Sequence, residues 1–405
     1  MKTVLSILLF LNLLFVQGQA PSYDSILPLE DYNFVLGTNG IGGKYQFTDE
    51  SKLVEQSKHI RAMGSNILKI SLGRNSAKSY GLKDVKSKTT LQLFKSHPDY
   101  KRVFDMDFKY VFAWVHTLTD VKWKQRINPK EEDLLYNEMY ELASYLLREY
   151  NNTGKTFMIG NWEGDWLLHP NYKRNMTPPK EHVDNMTKWI QIRQRAIEDA
   201  KNDVKHTNVF LYHYIEVNLV LKGMEGRTCI AHDILPKVDV DFVSYSSYEA
   251  IKNRDYSEKK STLETIFNYL ENQLKPKSNL PFNRRVFIGE YGYHANENVL
   301  SQRKQFEETK DIMKISLELN LPFALHWQMY NNEYAENGNS KNMSLINEHG
   351  EKRPLYYLHK TYYEKMNSYL EIYKTENGMF PDSSIFNSKA IDVIDGLDYQ
   401  NCIQE

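Results

Sequence analysis

The sequence predicts an α/β protein of the (β/α)8 TIM barrel class, built as a single domain. Eight short runs of β-branched and aromatic residues alternate with longer amphipathic segments, which is typical of parallel strands joined by crossover helices. The 405 residues suffice for one barrel of about 250 residues with insertions. Because no internal repeat, proline-rich linker or block of like charges interrupts this pattern, the sequence indicates one domain.

The order of the elements follows from the apolar pattern. The predicted strands cover residues 34–37, 66–72, 110–116, 157–161, 209–214, 240–245, 286–290 and 323–327. Helical periodicity predicts helices over residues 50–63, 131–150, 183–204, 262–274, 301–319 and 355–370. We therefore expect the barrel over residues 19–370, followed by a C-terminal extension over residues 371–405 with few periodic apolar residues.

The first residues have the pattern of a secretory signal peptide. A short basic start at Lys2 precedes an apolar run from residue 4 to residue 16, and Gly18 provides a small residue for cleavage. The run is shorter than the roughly 20 residues that a membrane span needs. We expect a signal peptide over residues 1–18, no membrane span, and a secreted mature chain in an extracellular, periplasmic or lumenal compartment.

Charge and cysteine content narrow the possible partners. The chain has 51 basic and 52 acidic residues, so its charge gives no reason to expect nucleic acid as a partner. Its two cysteines, Cys229 and Cys402, permit one disulfide in an oxidising compartment. Because no Cys-x-x-Cys pair or Cys/His cluster is present, we expect neither a metal site nor another cofactor.

Two predicted strands end in carboxylates. The fourth strand leads into Glu163 and Asp165, and the seventh leads into Glu290. In a (β/α)8 barrel the active site forms at the C-terminal ends of the strands. The two glutamates are 127 positions apart, which corresponds to three βα units. Glycoside hydrolysis requires such a carboxyl pair, one to protonate the departing oxygen and one to attack the anomeric carbon or activate water.

Aromatic and polar side chains at other strand ends fit a sugar substrate. Indole faces stack on the C–H faces of sugar rings, while amides and imidazoles bind hydroxyl groups. The predicted sugar-binding residues at or after strand ends are Asn39, Trp114, His116, Asn161, Trp166 and Trp327.

Four segments of the sequence resemble segments of a known group of enzymes. Residues 286–292 resemble the nucleophile strand of clan A glycoside hydrolases, especially the family-five cellulase-like enzymes, where a glutamate precedes an aromatic residue and glycine. Residues 323–330 resemble their eighth strand, residues 345–360 resemble the turn into their last helix, and residues 241–248 are similar to their sixth strand. The resemblance implies a retaining mechanism. Glu290 would be the nucleophile, assisted by Tyr248, and Glu163 would act first as acid and then as base.

The fourth strand departs from the family pattern. In the family an asparagine that binds the sugar 2-hydroxyl directly precedes the acid/base glutamate, whereas here Trp162 separates Asn161 from Glu163. In a regular strand Asn161 and Glu163 share a face, so the amide would lie one layer deeper. Asp165 is the alternative acid, favoured if the strand bulges after Gly160.

Two functions follow from these residues. The first is a secreted, retaining glycoside hydrolase that cleaves β-linked oligo- or polysaccharides without a cofactor. The second is a catalytically inert carbohydrate-binding barrel that has kept the aromatic cleft, and the altered fourth-strand motif is the reason to consider it.

Overall fold

The computed structural model describes residues 32–83, 86–119, 126–335 and 338–402. Eight parallel strands form a closed barrel in chain order, with the last strand pairing back to the first. The predicted (β/α)8 fold class is therefore confirmed. The strands are β1 (Leu36–Asn39), β2 (Ile67–Leu72), β3 (Tyr110–Val115), β4 (Thr156–Gly160), β5 (Phe210–Val217), β6 (Phe242–Ser246), β7 (Val286–Tyr291) and β8 (Ala324–His326).

Helices surround the barrel, and each of the six predicted helices is present, with ends that differ from the prediction by one to seven residues. Two long ones begin with a capping box, Asn128 with Glu131 and Asp255 with Glu258, which satisfies N–H groups that the first turn leaves unpaired. The helices are α1 (Lys52–Ala62), α2 (Arg74–Ser79), α3 (Thr90–Ser96), α4 (Pro98–Asp105), α5 (Pro129–Glu149), α6 (Gly164–Leu168), α7 (Lys180–Asp203), α8 (Val220–Met224), α9 (Tyr248–Ile251), α10 (Tyr256–Gln273), α11 (Val299–Glu318), α12 (Pro354–Asn377), α13 (Ser383–Asp395) and α14 (Tyr399–Cys402).

Aromatic rings fill the interior of the barrel below its C-terminal end. Phe112 on β3 packs edge to face against Phe287 on β7, with ring centroids 5.4 Å apart, and against Phe323 at 4.8 Å. The ring of Tyr214 on β5 completes this layer, 5.6 Å from that of Phe287. Such rings bury large apolar areas and prefer edge-to-face contact. The barrel is therefore plugged, and chemistry is confined to the layer above.

The C-terminal residues belong to the helical layer of the barrel. The predicted boundary at residue 370 falls inside α12, which continues to Asn377. Helix α13 then packs against α11 and α12, and α14 packs against the same two helices. Phe386, Ala390 and Ile394 are buried at a spacing of four residues. This single narrow stripe is the sequence signal for the packing, and α13 is too short to repeat it more often.

The two cysteines do not form the disulfide that the sequence permits. Cys229 and Cys402 are both buried, and no disulfide joins them. Cys402 lies on α14, which packs against α11 and α12, whereas Cys229 precedes a helical turn that packs against α7 and α8. The thiols therefore lie on segments held by different helices of the outer layer.

The predicted signal peptide over residues 1–18 lies outside the described residues. Within the part of the chain that the structure describes, no helix combines the length and the apolar character that crossing a bilayer requires.

Gly160 provides a close approach at the end of β4. A Cβ atom on this residue would lie 2.2 Å from the ring of Tyr214. Because the ring is part of the close-packed aromatic layer, moving it away costs free energy. We expect Gly160→Ala to lower the free energy of unfolding by about 1–3 kcal/mol, measured by urea denaturation. Gly396→Ala is the matched control, since the nearest atoms to its Cβ lie at 3.5 Å. Equal stability of the two variants would contradict this view of the barrel interior.

Candidate active site

Glu290 is the carboxylate at the end of β7. The pairing of β7 shifts register against both neighbours near this residue, so that β7 carries one extra residue relative to β6 and β8. Bulges of this kind re-aim a side chain at the rim of a barrel. The Glu290 side chain is buried, and its Oε2 accepts a hydrogen bond from the hydroxyl of Tyr248 at 3.3 Å. Tyr248 is the first residue of α9 and lies two residues after the end of β6.

Glu163 is held at the end of β4, where the chain leaves the strand and enters α6. Its backbone N–H donates to Oε1 of Glu216 on β5 at 3.1 Å. Its carboxyl lies beside the side chains of Ser246 on β6 and Trp166 on α6. The half-buried Glu163 side chain therefore enters the same mouth as Glu290.

A buried ion pair lies between these two glutamates. The Lys69 Nζ on β2 is 2.8 Å from the Glu216 Oε2 and 3.9 Å from the Glu290 Oε1. Lys69 also donates to the backbone carbonyl of Gly289 at 3.0 Å, and the hydroxyl of Ser244 donates to the Glu216 Oε2 at 2.7 Å. The mouth thus contains three carboxyl groups around this ammonium group.

Burial and mutual repulsion raise the pKa of the two outer carboxyls. Burial raises the pKa of Glu163 to about 8, the charge of Glu216 acts in the same direction, and Lys69 opposes both. Burial also raises the pKa of Glu290 well above its ordinary value, with Glu163 and Glu216 adding to the effect and Lys69 reducing it. Ionisation of either group disfavours ionisation of the other, so the pair loses its two protons in separate steps and passes through a state that holds one proton. One neutral acid beside one carboxylate can donate a proton on one side of a substrate and supply a nucleophile on the other.

The structure gives Asp165, the alternative acid, a different environment. Its carboxylate is fully buried and accepts hydrogen bonds from the backbone N–H groups of Asn218, Leu219 and Ile230, at 2.8–3.1 Å. These bonds tie the start of α6 to the segments that follow β5. Asp165 therefore anchors the backbone behind the mouth.

The two predicted asparagines are also used within the protein. The amide of Asn39 on β1 donates to the backbone carbonyl of His326 at 3.0 Å, and Asn39 is fully buried. The amide of Asn161 donates to the carbonyl of Trp162 at 3.1 Å. The prediction that Asn161 and Glu163 share a face assumes a regular strand. This assumption is wrong, because β4 ends at Gly160, before both residues. Among the described residues the Oδ1 atoms of both asparagines have no hydrogen-bond donor.

Indoles at the ends of β3 and β8 line the mouth. The ring centroids of Trp114 on β3 and Trp327 after β8 are 5.9 Å apart, and the Lys69 Nζ lies 4.3 Å from the Trp114 ring. The Trp327 indole donates to Glu333 at 2.9 Å, which fixes its orientation. His116, two residues beyond Trp114, is half-buried, and burial together with Arg193 lowers its pKa to about 4. Its imidazole is therefore neutral and can exchange hydrogen bonds with a hydroxyl group.

The inserted Trp162 packs against the aromatic groups of the mouth and lies next to an exposed tyrosine. Its ring centroid is 6.4 Å from that of Tyr172, whose side chain is 62% exposed. The residue that interrupts the family pattern thus adds an aromatic surface beside Glu163.

Sequence reasoning missed Lys69 and Glu216. The signal for Lys69 was a lone charge in the middle of an apolar strand, and that for Glu216 was a carboxylate at a strand end. The prediction ended the fifth strand at Tyr214, but β5 continues to Val217. His213, one residue before that predicted strand end, is fully buried within β5, where its Nδ1 contacts Gln194. No group of three or more metal-ligating side chains that could hold an ion occurs among the described residues.

The barrel is similar in structure to glycoside hydrolases. A β-glucuronidase from Bacteroides uniformis aligns with 82% of this chain and 35% of its own, at 11% identity and a TM-score of 0.51. A family 39 glycoside hydrolase from the gut symbiont Bacteroides cellulosilyticus aligns with 83% of this chain and 64% of its own, at 12% identity and a TM-score of 0.50. A Bacteroidetes-affiliated GH5 cellulase aligns with 92% of this chain and 95% of its own, at 13% identity and a TM-score of 0.49.

These comparisons bear on the fold. The structural neighbours are clan A glycoside hydrolases, as the resemblance in the sequence predicted, and at these identities the likeness extends to the barrel alone. This chain spans about a third of the length of the β-glucuronidases with which it aligns. No protein-family model matches the sequence, and no curated protein matches it.

Substitutions of Asp165 and Glu163 test whether Asp165 stabilises the fold and Glu163 does not. We expect Asp165→Asn to lower the free energy of unfolding by about 2 kcal/mol or more, because the new amide cannot accept all three buried N–H bonds. Glu163→Gln should leave stability at neutral pH unchanged or higher. Urea denaturation of both variants measures these effects.

The pH dependence provides the internal control. The raised pKa of Glu163 contributes stability below its ordinary value of 4.5 that is lost as the pH rises toward about 8. The stability of Glu163→Gln relative to wild type should therefore grow over this range. A constant difference between the two proteins would contradict the raised pKa.

Proposed function

We propose that this protein is a secreted, retaining glycoside hydrolase that cleaves β-linked glycans, with Glu290 as nucleophile and Glu163 as acid/base. One observation carries the proposal. Two carboxyls with raised pKa meet at the C-terminal mouth of a (β/α)8 barrel, and only Glu290 also accepts a hydrogen bond from Tyr248. Secretion rests on the N-terminal sequence pattern of residues 1–18.

The division of roles follows from the neighbours of each carboxyl. Lys69 lies 3.9 Å from Glu290, and the Tyr248 hydroxyl donates to the same carboxylate. Both groups stabilise its ionised form. Glu216 raises and Lys69 lowers the pKa of both carboxyls, so the contacts on Glu290 are what distinguish them. We therefore assign the proton of the singly protonated pair to Glu163. In the singly protonated pair, this assignment gives an ionised nucleophile and a protonated acid.

The reaction then proceeds in two displacements. A Glu290 oxygen attacks the anomeric carbon while Glu163 gives its proton to the departing glycosidic oxygen, leaving a covalent glycosyl ester on Glu290 and an ionised Glu163. Glu163 then removes a proton from water, the water oxygen attacks the anomeric carbon, and the ester bond breaks. Both carboxyls return to their starting states, and two inversions retain the configuration. Trp114 and Trp327 would stack on the sugar, and the neutral His116 would bind a hydroxyl group.

A specific observation supports the inert sugar-binding barrel as a second candidate. The Asn161 amide donates to the Trp162 carbonyl instead of pointing beside Glu163 as in the family pattern. A barrel of this kind would bind oligosaccharides through the same indoles without turnover. Turnover and oligosaccharide binding of wild type and Glu290→Gln distinguish the two functions.

Substitution of each glutamate tests the assignment. We expect Glu290→Gln to lower kcat at least about 10³-fold on aryl β-glycosides, because no covalent ester can form, while oligosaccharide binding persists. Glu163→Gln should retain its first step on substrates with acidic leaving groups, and added azide should restore its turnover. Glu364→Gln, exposed on α12, is the control that should leave kcat unchanged.

Proton NMR of the first product identifies the stereochemistry. The β-anomer should appear first from a β-linked substrate if the enzyme is retaining. Release of the α-anomer would contradict the nucleophilic role of Glu290. If wild type and Glu290→Gln are equally inert on a broad panel of glycosides but bind oligosaccharides, the second candidate is correct.

The pH profile tests the state of Glu163. The general acid must be protonated, so kcat/KM should fall as the pH rises through about 8, the value to which burial raises the pKa of Glu163. This alkaline limb should be absent from the kcat/KM profile of aryl glycosides whose leaving group needs no proton. A limb that persists unchanged on such substrates would assign the titration to another group.

A further inference from the structure

We propose that Glu216 is a positioning residue that holds both halves of the catalytic pair, the backbone of Glu163 directly and the side chain of Glu290 through Lys69. The kinetic consequences of this proposal rest on the proposed function, which assigns Glu163 and Glu290 their roles. It concerns a residue on β5 that neither glutamate motif contains.

The carboxylate of Glu216 accepts hydrogen bonds from three other parts of the barrel. Its Oε1 accepts the backbone N–H of Glu163 at 3.1 Å. Its Oε2 accepts the Ser244 hydroxyl at 2.7 Å and the Lys69 ammonium at 2.8 Å. The side chain is 0% exposed, so Glu216 cannot touch a substrate in the mouth. Its effect on the reaction must pass through the groups that it holds.

Lys69 carries this effect to β7. Besides Glu216, its ammonium group contacts the carbonyl of Gly289 at 3.0 Å and lies 3.9 Å from the Glu290 carboxylate. An ammonium bound on one side to Glu216 has a fixed position relative to the nucleophile. Without Glu216, the same cation would be left to pair with Glu290 alone, which would lower the nucleophilicity of that carboxylate.

The backbone around Gly289 is shaped to admit this arrangement. A Cβ atom on Gly289 would lie 1.7 Å from the Ser244 hydroxyl oxygen and 2.9 Å from the Glu216 Oε2. The pair of Ser244 and Glu216 therefore lies directly against β7, one residue before the nucleophile. Glycine at this position allows a close approach that every other side chain would block.

Four titratable side chains from different elements of the barrel surround Glu163. These groups are Lys69 on β2, Glu216 on β5, Tyr248 after β6 and Glu290 on β7. Glu216 and Glu290 favour the protonated form of Glu163, and Lys69 favours the ionised form. Removing the charge of Glu216 while keeping its shape should therefore make Glu163 more acidic.

The test compares Glu216→Gln with Glu216→Asp. Glu216→Gln should lower kcat at least tenfold with little change in KM, and should move the alkaline limb of kcat/KM to lower pH. Glu216→Asp keeps the charge beside Lys69 but is one methylene too short to hold the Glu163 N–H. It should also lose at least tenfold in kcat, while its alkaline limb stays at the wild-type pH. Ser244→Ala, which removes one donor and leaves the other two, should lose less than either.

A direct titration separates this proposal from the proposed function. Carbon NMR of protein labelled at the glutamate side-chain carboxyls reports the Glu163 titration, assigned by its absence in Glu163→Gln, without any turnover. A lower Glu163 pKa in Glu216→Gln supports the proposal even if no glycoside is hydrolysed. Wild-type titration of Glu163 in folded Glu216→Gln would overturn it, as would unchanged kcat in Glu216→Asp when the wild type is active, and either result would leave Glu216 a purely structural residue. If Glu216→Gln does not fold, the Glu216→Asp kinetics decide alone.

Discussion

The contact between Lys69 and Glu216 is the interaction on which the mouth of this barrel depends. Both side chains are removed from solvent, and their Nζ and Oε2 atoms lie 2.8 Å apart. Burying two charges is costly unless their remaining hydrogen bonds are also satisfied. Here the Gly289 carbonyl, the Ser244 hydroxyl and the Glu163 N–H satisfy them. The ion pair thus links β2, β5, β6 and β7 with Glu163, three residues after the end of β4.

The layers below and around this ion pair explain why it can exist. An aromatic plug closes the barrel beneath it, so water does not reach the charges from below. Gly160 and Gly289 leave no side chain where the Tyr214 ring and the Ser244 hydroxyl approach the strands. The same burial raises the pKa of Glu163 and Glu290. These raised pKa values lower the free energy of unfolding above the ordinary pKa of glutamate, and they keep a proton at the end of the barrel where glycoside cleavage would need one.

The sequence predicted the fold more completely than the site. All eight strands were recognisable, because parallel strands buried on both faces have continuous apolar runs. The ends of those runs pointed to Glu163 and Glu290, and the structure brings both to one mouth. Glu216 was missed because the fifth run was ended too early, at Tyr214. Asn39 and Asp165 had the right residue types at strand ends, but in the fold their side chains bind the backbone.

The sequence by itself determined the order of strands and helices and the carboxylates that end two of the strands, since apolar periodicity is a local property. Tertiary structure alone decided which polar side chains face the mouth and what charge they carry. The β7 bulge at Glu290, the irregular chain after β4 and the approach of Lys69 to Glu216 each join residues distant in sequence. Side-chain direction and pKa depend on such neighbours, so they emerge only when the barrel closes.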